Sequence, residues 1–258
     1  MRSLWICYRK EMLEMQRSYR LLWIPVVFIL LGMMQPISAY YMPEILKMSG
    51  DVPKGLLDSY QIPGAGEVMA KSLGQYGMIG LLVLVLSAVN GFAGEREGGI
   101  AELLLSRPLS TSAAASAKWL AHLTLLVLSL GLGSAFAAYY TIRLIGDLQF
   151  GPVFAASAIY GLWLMCGVSL TLLFSSFLRA PAAAFLGLGA TAVLSLLHQL
   201  LPGRLQWSPA ALTQLSAGLL DSADELRWYL PVLSGIVFIA CCIGGAAQLF
   251  KRNKLPRT

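Results

Sequence analysis

The sequence predicts an all-α membrane protein. It has six transmembrane helices, an N-terminal interfacial helix, a cytoplasmic helical segment between spans two and three, and an outer re-entrant or interfacial helix before span six. Three observations carry this prediction. Charged residues are 12% of the 258-residue chain and apolar ones 57%, about half the roughly 25% charge of soluble domains. Mean hydropathy is +0.69. Finally, the charges are segregated, and six runs lack them: 21–40, 74–93, 119–140, 153–177, 181–201 and 229–250. Each is near the ~20 residues that cross a hydrocarbon core of ~30 Å. The chain reads as one transmembrane domain over residues 1–258.

Residues 1–20 form the predicted interfacial helix. At ~100° per residue, Leu4, Tyr8, Met12, Met15 and Tyr19 share a stripe with Trp5 at its edge, while Arg9, Lys10, Arg17 and Arg20 lie opposite. Ile6 and Leu13 fall among the charges and imply that the polar face is itself partly covered. A basic anchor that only sets orientation is the plainer alternative. The first apolar run exceeds the ~7–15 residues of a signal peptide and follows a long charged leader, so it is read as retained.

In span one, Pro25 is tolerated near the start, whereas Pro36 is expected to bend or end the helix near the outer face. A Gly/Pro-rich outer loop follows, with short helical pieces at 44–48 and 53–59. Spans three and four are joined by a short loop near 141–151. Spans four and five meet almost directly at Arg179, with Pro181 in the first turn of span five. The apolar piece 208–220 is too short to cross and makes the outer re-entrant or interfacial helix. Small residues inside the spans, such as Gly131, Gly133, Gly161, Gly167, Gly187 and Gly244, let helices approach closely.

With a cytoplasmic N-terminus, Arg2, Arg9, Lys10, Arg17, Arg20, Arg96, Arg107, Lys118, Arg179, Lys251, Arg252, Lys254 and Arg257 lie inside. Outside are Lys47, Lys54, Lys71, Arg143, Arg204 and Arg227. Thirteen against six follows the positive-inside rule, and six spans return the C-terminus to the cytoplasm. The location is the plasma membrane, and the basic balance reports topology and anionic lipid contact, not nucleic acid. The cysteines Cys7, Cys166, Cys241 and Cys242 read as small buried hydrophobes.

Span interiors lack Asp, Glu, Lys and Arg, which argues against ion- or proton-coupled transport. No His/Cys/carboxylate cluster has metal-ligand spacing, and there is no phosphate-loop motif. A serine hydrolase built from Ser87 or Ser195 with His198 ranks third among the readings. The chain is therefore read as no enzyme by itself and without a cofactor of its own. Energy for uphill movement must come from another subunit.

The segment 94–110 is the place for a partner to dock. Gly94 and the Gly98-Gly99 pair free the backbone to leave span two. Ile100, Leu103 and Leu104 share one helical face, Pro108 ends the helix, and Ser110 or Ser112 caps the next. Glu95, Glu97, Glu102 and Arg107 flank it. The alternative is a helix that merely lies on the lipid surface.

Gly94–Leu109 (GEREGGIAELLLSRPL), followed by Ala117-Lys118-Trp119, resembles the membrane subunits of type-2 ABC exporters, the ABC-2 permease family. Arg-Lys-Glu-Met at 9–12 and Arg20-Leu-Leu-Trp-Ile-Pro25 look like the Gram-positive branch, in which permease and ATPase are separate chains. Gly99-Ile100 departs from the Gly-Thr of many relatives, which leaves the docking role but not its detailed contacts. The resemblance implies an exporter permease that pairs with a second permease copy and with nucleotide-binding subunits carrying Mg-ATP. It implies coupling contacts at Glu95, Glu97, Gly98, Ile100, Glu102, Leu103, Leu104, Arg107 and Pro108, and further ones on the interfacial helix at Arg9, Lys10, Met12, Arg17 and Arg20. Spans lined by Leu, Ala, Gly and aromatics suit a hydrophobic or amphipathic cargo: a lipid, peptide antibiotic or drug. The rival of another class is a membrane anchor or regulatory subunit that transports nothing.

Overall fold

The computed structural model describes residues 2–48, 62–98, 110–201, 203–220 and 228–252. All regular structure among them is helical. The helices are α1 (Arg2–Arg17), α2 (Arg20–Met48), α3 (Ala65–Glu97), α4 (Thr111–Leu144), α5 (Phe150–Ser175), α6 (Ala180–Leu200), α7 (Ala211–Leu220) and α8 (Tyr229–Arg252). Six of them, α2 to α6 and α8, are long and apolar enough to cross a membrane. Their charges stay within about two turns of the helix ends, where a 33- or 34-residue helix extends past a ~30 Å core.

Helix α5 is the central post, most of it buried inside the bundle, with α6, α7 and α8 packed around it. On the other side α2 and α4 cross closely. A Cβ on Gly133 would stand 2.8 Å from the Phe28 carbonyl, and one on Gly32 would strike the Gly133 carbonyl and the Tyr76 hydroxyl. Tyr76 stacks on Phe28 with ring centroids 5.0 Å apart, so three helices meet at this point. Gly131 and Gly244, also expected to mediate packing, face open space within this bundle, as does Gly189.

Two helices run past the limits expected from the sequence. Pro36 does not end span one: α2 runs unbroken through Pro25, Pro36 and Pro43 to Met48, which absorbs the expected piece at 44–48. In lipid an interrupted helix would leave more backbone groups unpaired than one proline does. Span two is longer at both ends than 74–93. It starts at Ala65, widens into a π-helical turn at Tyr76–Gly80 and continues to Glu97. At the wide turn Gly77 abuts the Tyr160 hydroxyl, where any side chain would collide. The expected piece at 53–59 lies outside the described residues.

The helix of span three is also longer than 119–140, running from Thr111 to Leu144, whereas those of spans four to six differ from expectation by three residues or fewer. Pro181 does sit in the first turn of α6. Ser110 caps α4, its Oγ accepting from the Ala113 N–H at 3.2 Å. The apolar piece expected at 208–220 is α7, preceded by turns rather than by helix from Ser208. It buries Leu212 and Leu215 and reaches α6 through His198 Nε2 and Gln214 Oε1 at 3.2 Å.

Candidate functional site: a buried ring of four charges

Helix α1 lies against the first half of α4 and buries Cys7, Glu11 and Met15, flanked by half-buried Leu4, Tyr8 and Met12. Most of the expected stripe is therefore the packed face. Tyr19 is the exception: it is exposed in the turn between α1 and α2, with a left-handed φ of 57°. The Tyr8 hydroxyl meets Thr124 Oγ1 at 2.9 Å. Ile6 and Leu13 are exposed, so the bundle does not cover them.

The centre of the packed face is a carboxylate. Glu11 Oε1 accepts from Lys118 Nζ of α4 at 2.7 Å and from Lys10 Nζ at 3.1 Å. The same two ammonium groups hold Glu95 Oε1 at the end of α3, Lys118 at 2.9 Å and Lys10 by a short contact. Two cations and two anions thus alternate around a ring of zero net charge. The side chains of Lys118, Glu11 and Glu95 are 3%, 8% and 8% exposed, whereas Lys10 at 40% is the member open to water. Lys118 also stands 5.4 Å from the Phe92 ring centre, and Phe92 packs on Phe250 of α8 at 4.9 Å.

Burial works against both ring charges of α1, and pairing overcomes it. Burial alone would push the Glu11 carboxyl up, but Lys118 and Lys10 hold it below its ordinary value. Burial would likewise push Lys10 down, but Glu11 and Glu95 raise it. Ionisation is therefore secured by neighbours rather than by solvent.

Further contacts tie the same end of the bundle together. Arg20 Nη1 donates to the Ser87 carbonyl at 3.0 Å, joining the start of α2 to α3. Arg96 donates to the Leu178 carbonyl between α5 and α6. His122, one turn beyond Lys118, donates from Nδ1 to the Lys118 carbonyl at 2.8 Å. The arrangement is a joint: it binds α1, the last turn of α3 and the base of α4 into one piece.

The structure divides the sequence-predicted site residues into three sets. Glu95 and Lys10 enter the ring. Glu97 and Gly98 stand exposed where α3 ends, the Gly98 N–H closing the helix onto the Gly94 carbonyl at 2.9 Å. Ile100, Glu102, Leu103, Leu104, Arg107 and Pro108 lie outside the described residues. On α1, Arg9 and Arg17 are exposed, Met12 is half-buried against the bundle, and Arg20 opens α2. The helix that carries span two continues past Gly94. Residues 94–97 are the final turn of α3, and Glu95 is buried because two ammonium groups replace its water. Glu11 was missed as a site residue, although its position, i+4 from Cys7 and i−4 from Met15, marked it as lying on the apolar face. No Ser–His pair is formed by Ser195 and His198, whose described partner is Gln214. Among the described residues no group of His, Cys, Asp and Glu is placed to hold a metal ion.

Residues 5–237 match the ABC-2 family transporter proteins. The chain is 33% identical over 226 residues to the uncharacterized transmembrane protein YxlG of Bacillus subtilis, covering 86% of this chain and 88% of that protein. The chain belongs to the ABC-2 transporter family and is a multi-pass membrane protein.

Proposed function

We propose that this ABC-2 family chain is the permease subunit of an ATP-driven exporter, worked by a separate nucleotide-hydrolysing subunit that grips the chain between α3 and α4. The observation that carries the reading is the buried charge ring. The described chain reaches Gly98, three positions after Glu95, and resumes at Ser110, eight positions before Lys118. Force applied to the segment between them arrives at two side chains already locked to each other and to α1. Separating them would strand a charge in a site without water, at ~3–5 kcal/mol. The base of α3, the base of α4 and α1 therefore move together, which turns a local push into tilting of two spans.

The ring end is cytoplasmic in this reading. Lys10 and Lys118 are neutralised within the ring, but eleven of the thirteen basic residues assigned there remain against six outside. Mg-ATP is held by the partner, a second permease copy completes the pathway, and the cargo is hydrophobic or amphipathic, since the described span interiors offer no buried charge away from their ends.

The test is co-purification with an intact tagged chain, followed by the double variant Leu103→Asp/Leu104→Asp. The expected result is a stoichiometric ATPase whose permease-stimulated hydrolysis falls about tenfold or more in the variant, with membrane insertion unchanged. Recovery of a partner that does not hydrolyse nucleotide would replace the exporter by an anchoring subunit.

A further inference from the structure

Between α4 and α5 runs an open groove of about 960 Å³, at the upper end of the ~300–1,000 Å³ typical of ligand sites. Its lining is apolar along nearly the whole height of the two helices, from Trp119 near the charge ring to Phe150 and Phe154 at the far end. Besides Tyr139 and Ser134, whose hydroxyl is bonded to the Gly131 carbonyl at 3.2 Å, Arg143 and Ser157 interrupt it. Arg143, in the last turn of α4, is the single charged side chain among the described lining residues. It lies 5.6 Å from the Tyr139 ring and makes no ion pair with Asp147 or any other described carboxylate. Ser157 lies seven residues into α5, about 10 Å below its start at 1.5 Å per residue. It is 8% exposed, and its Oγ has no hydrogen-bond partner.

We infer that this groove is a binding site for an acidic glycerophospholipid of the bilayer. The polarity sequence along the groove is that of the ligand. A guanidinium at the mouth matches a phosphate, which it can hold in a bidentate, charge-assisted pair. An unpaired hydroxyl one to two turns deeper matches an ester carbonyl, and hydrocarbon below matches an acyl chain. Gly131 lines the groove, and a Cβ there would meet nothing within 4 Å. This site stands apart from the exporter reading and holds whether or not the chain transports.

The experiment uses the full chain in nanodiscs of equal phosphatidylglycerol and phosphatidylcholine, with native mass spectrometry of lipids retained after detergent stripping. The wild type should keep phosphatidylglycerol at least fivefold over phosphatidylcholine. Arg143→Gln should bring that ratio near one, while Arg143→Lys keeps most of it. Gly131→Leu, which fills open space, should lose both lipids without lowering the thermal midpoint. An unchanged ratio in Arg143→Gln overturns the site. So does disulfide capture of a second copy by Ala135→Cys, which would make the groove a protein interface.

Discussion

Lys118 shows what a single side chain does in this protein. Its ammonium neutralises two carboxylates at 2.7 and 2.9 Å in a place water barely reaches. Lys118→Met should therefore cost about 3–5 kcal/mol, the usual penalty for leaving a buried ion without its partner. Lys118→Met/Glu95→Gln removes one charge of each sign and leaves Lys10 and Glu11 balanced, so it should lose less than the two single variants combined. Thermal unfolding in detergent measures all three, and strictly additive losses would mean that the ring is not one unit. The ring also sets a pH window. Glu11 is held below its ordinary carboxylate value of 4.5, so its contribution is complete above about that pH and disappears as acid protonates it. Lys10 is raised above its ordinary 10.5, so its contribution is complete below that pH and disappears only as the folded-state value is passed. Docking of α1 should thus be constant from about pH 5 to 10 and fail on the acid side. Cys7, buried on the packed face of α1, should become reactive to 4,4′-dithiodipyridine only as acid takes the pH below 4.5 in a Cys241→Ser background. Uniform protection of Cys7 down to pH 3 would contradict this.

At the scale of elements, the legible and the illegible parts have different physical causes. Six spans could be read because hydrocarbon excludes charge, a constraint that acts on every residue of a span separately. The α1 stripe and the Ser110 cap were likewise local. Two features were not: the continuity of α2 through Pro36, and the burial of Glu95 and Glu11. The first follows from the backbone's need for internal pairing in lipid; the second depends on a partner distant in the chain, as with Lys118 for Glu11, 107 residues on. A carboxylate at i+4 from Cys7 was visible in the sequence, but the cation that lets it be buried was not. Helix crossing gives an element-level prediction. Gly133→Ala would set a Cβ 2.8 Å from the Phe28 carbonyl, a backbone atom that cannot swing aside. It should lower stability by about 1–3 kcal/mol through forced separation of α2 and α4. Gly189→Ala, with nothing within 4 Å, should be neutral or slightly stabilising. Equal midpoints for the two variants in the same detergent would deny that α2 and α4 touch at Gly133.

At the scale of the whole molecule, orientation decides what the charge ring can do. Helices α3 and α4 are 33 and 34 residues long, so each overhangs a ~30 Å core by several turns, and at the ring end that overhang carries Glu95 and Lys118. The exposed cations at that end, Arg9 and Arg17 on α1 with Lys251 and Arg252 ending α8, favour the cytoplasmic leaflet, where anionic lipid attracts each by about 1 kcal/mol. Opposite them stand fewer cations, with Asp147 beyond Arg143 in the short link between α4 and α5. The balance predicts that Ser110→Cys, at the base of α4, is reached by a membrane-impermeant thiol reagent only after the cells are opened. Gly146→Cys, in the link, should be labelled in intact cells. The reverse pattern would place the ring outside, where no ATP is available to a partner, and would remove the coupling role while leaving the fold and the phospholipid groove as they are.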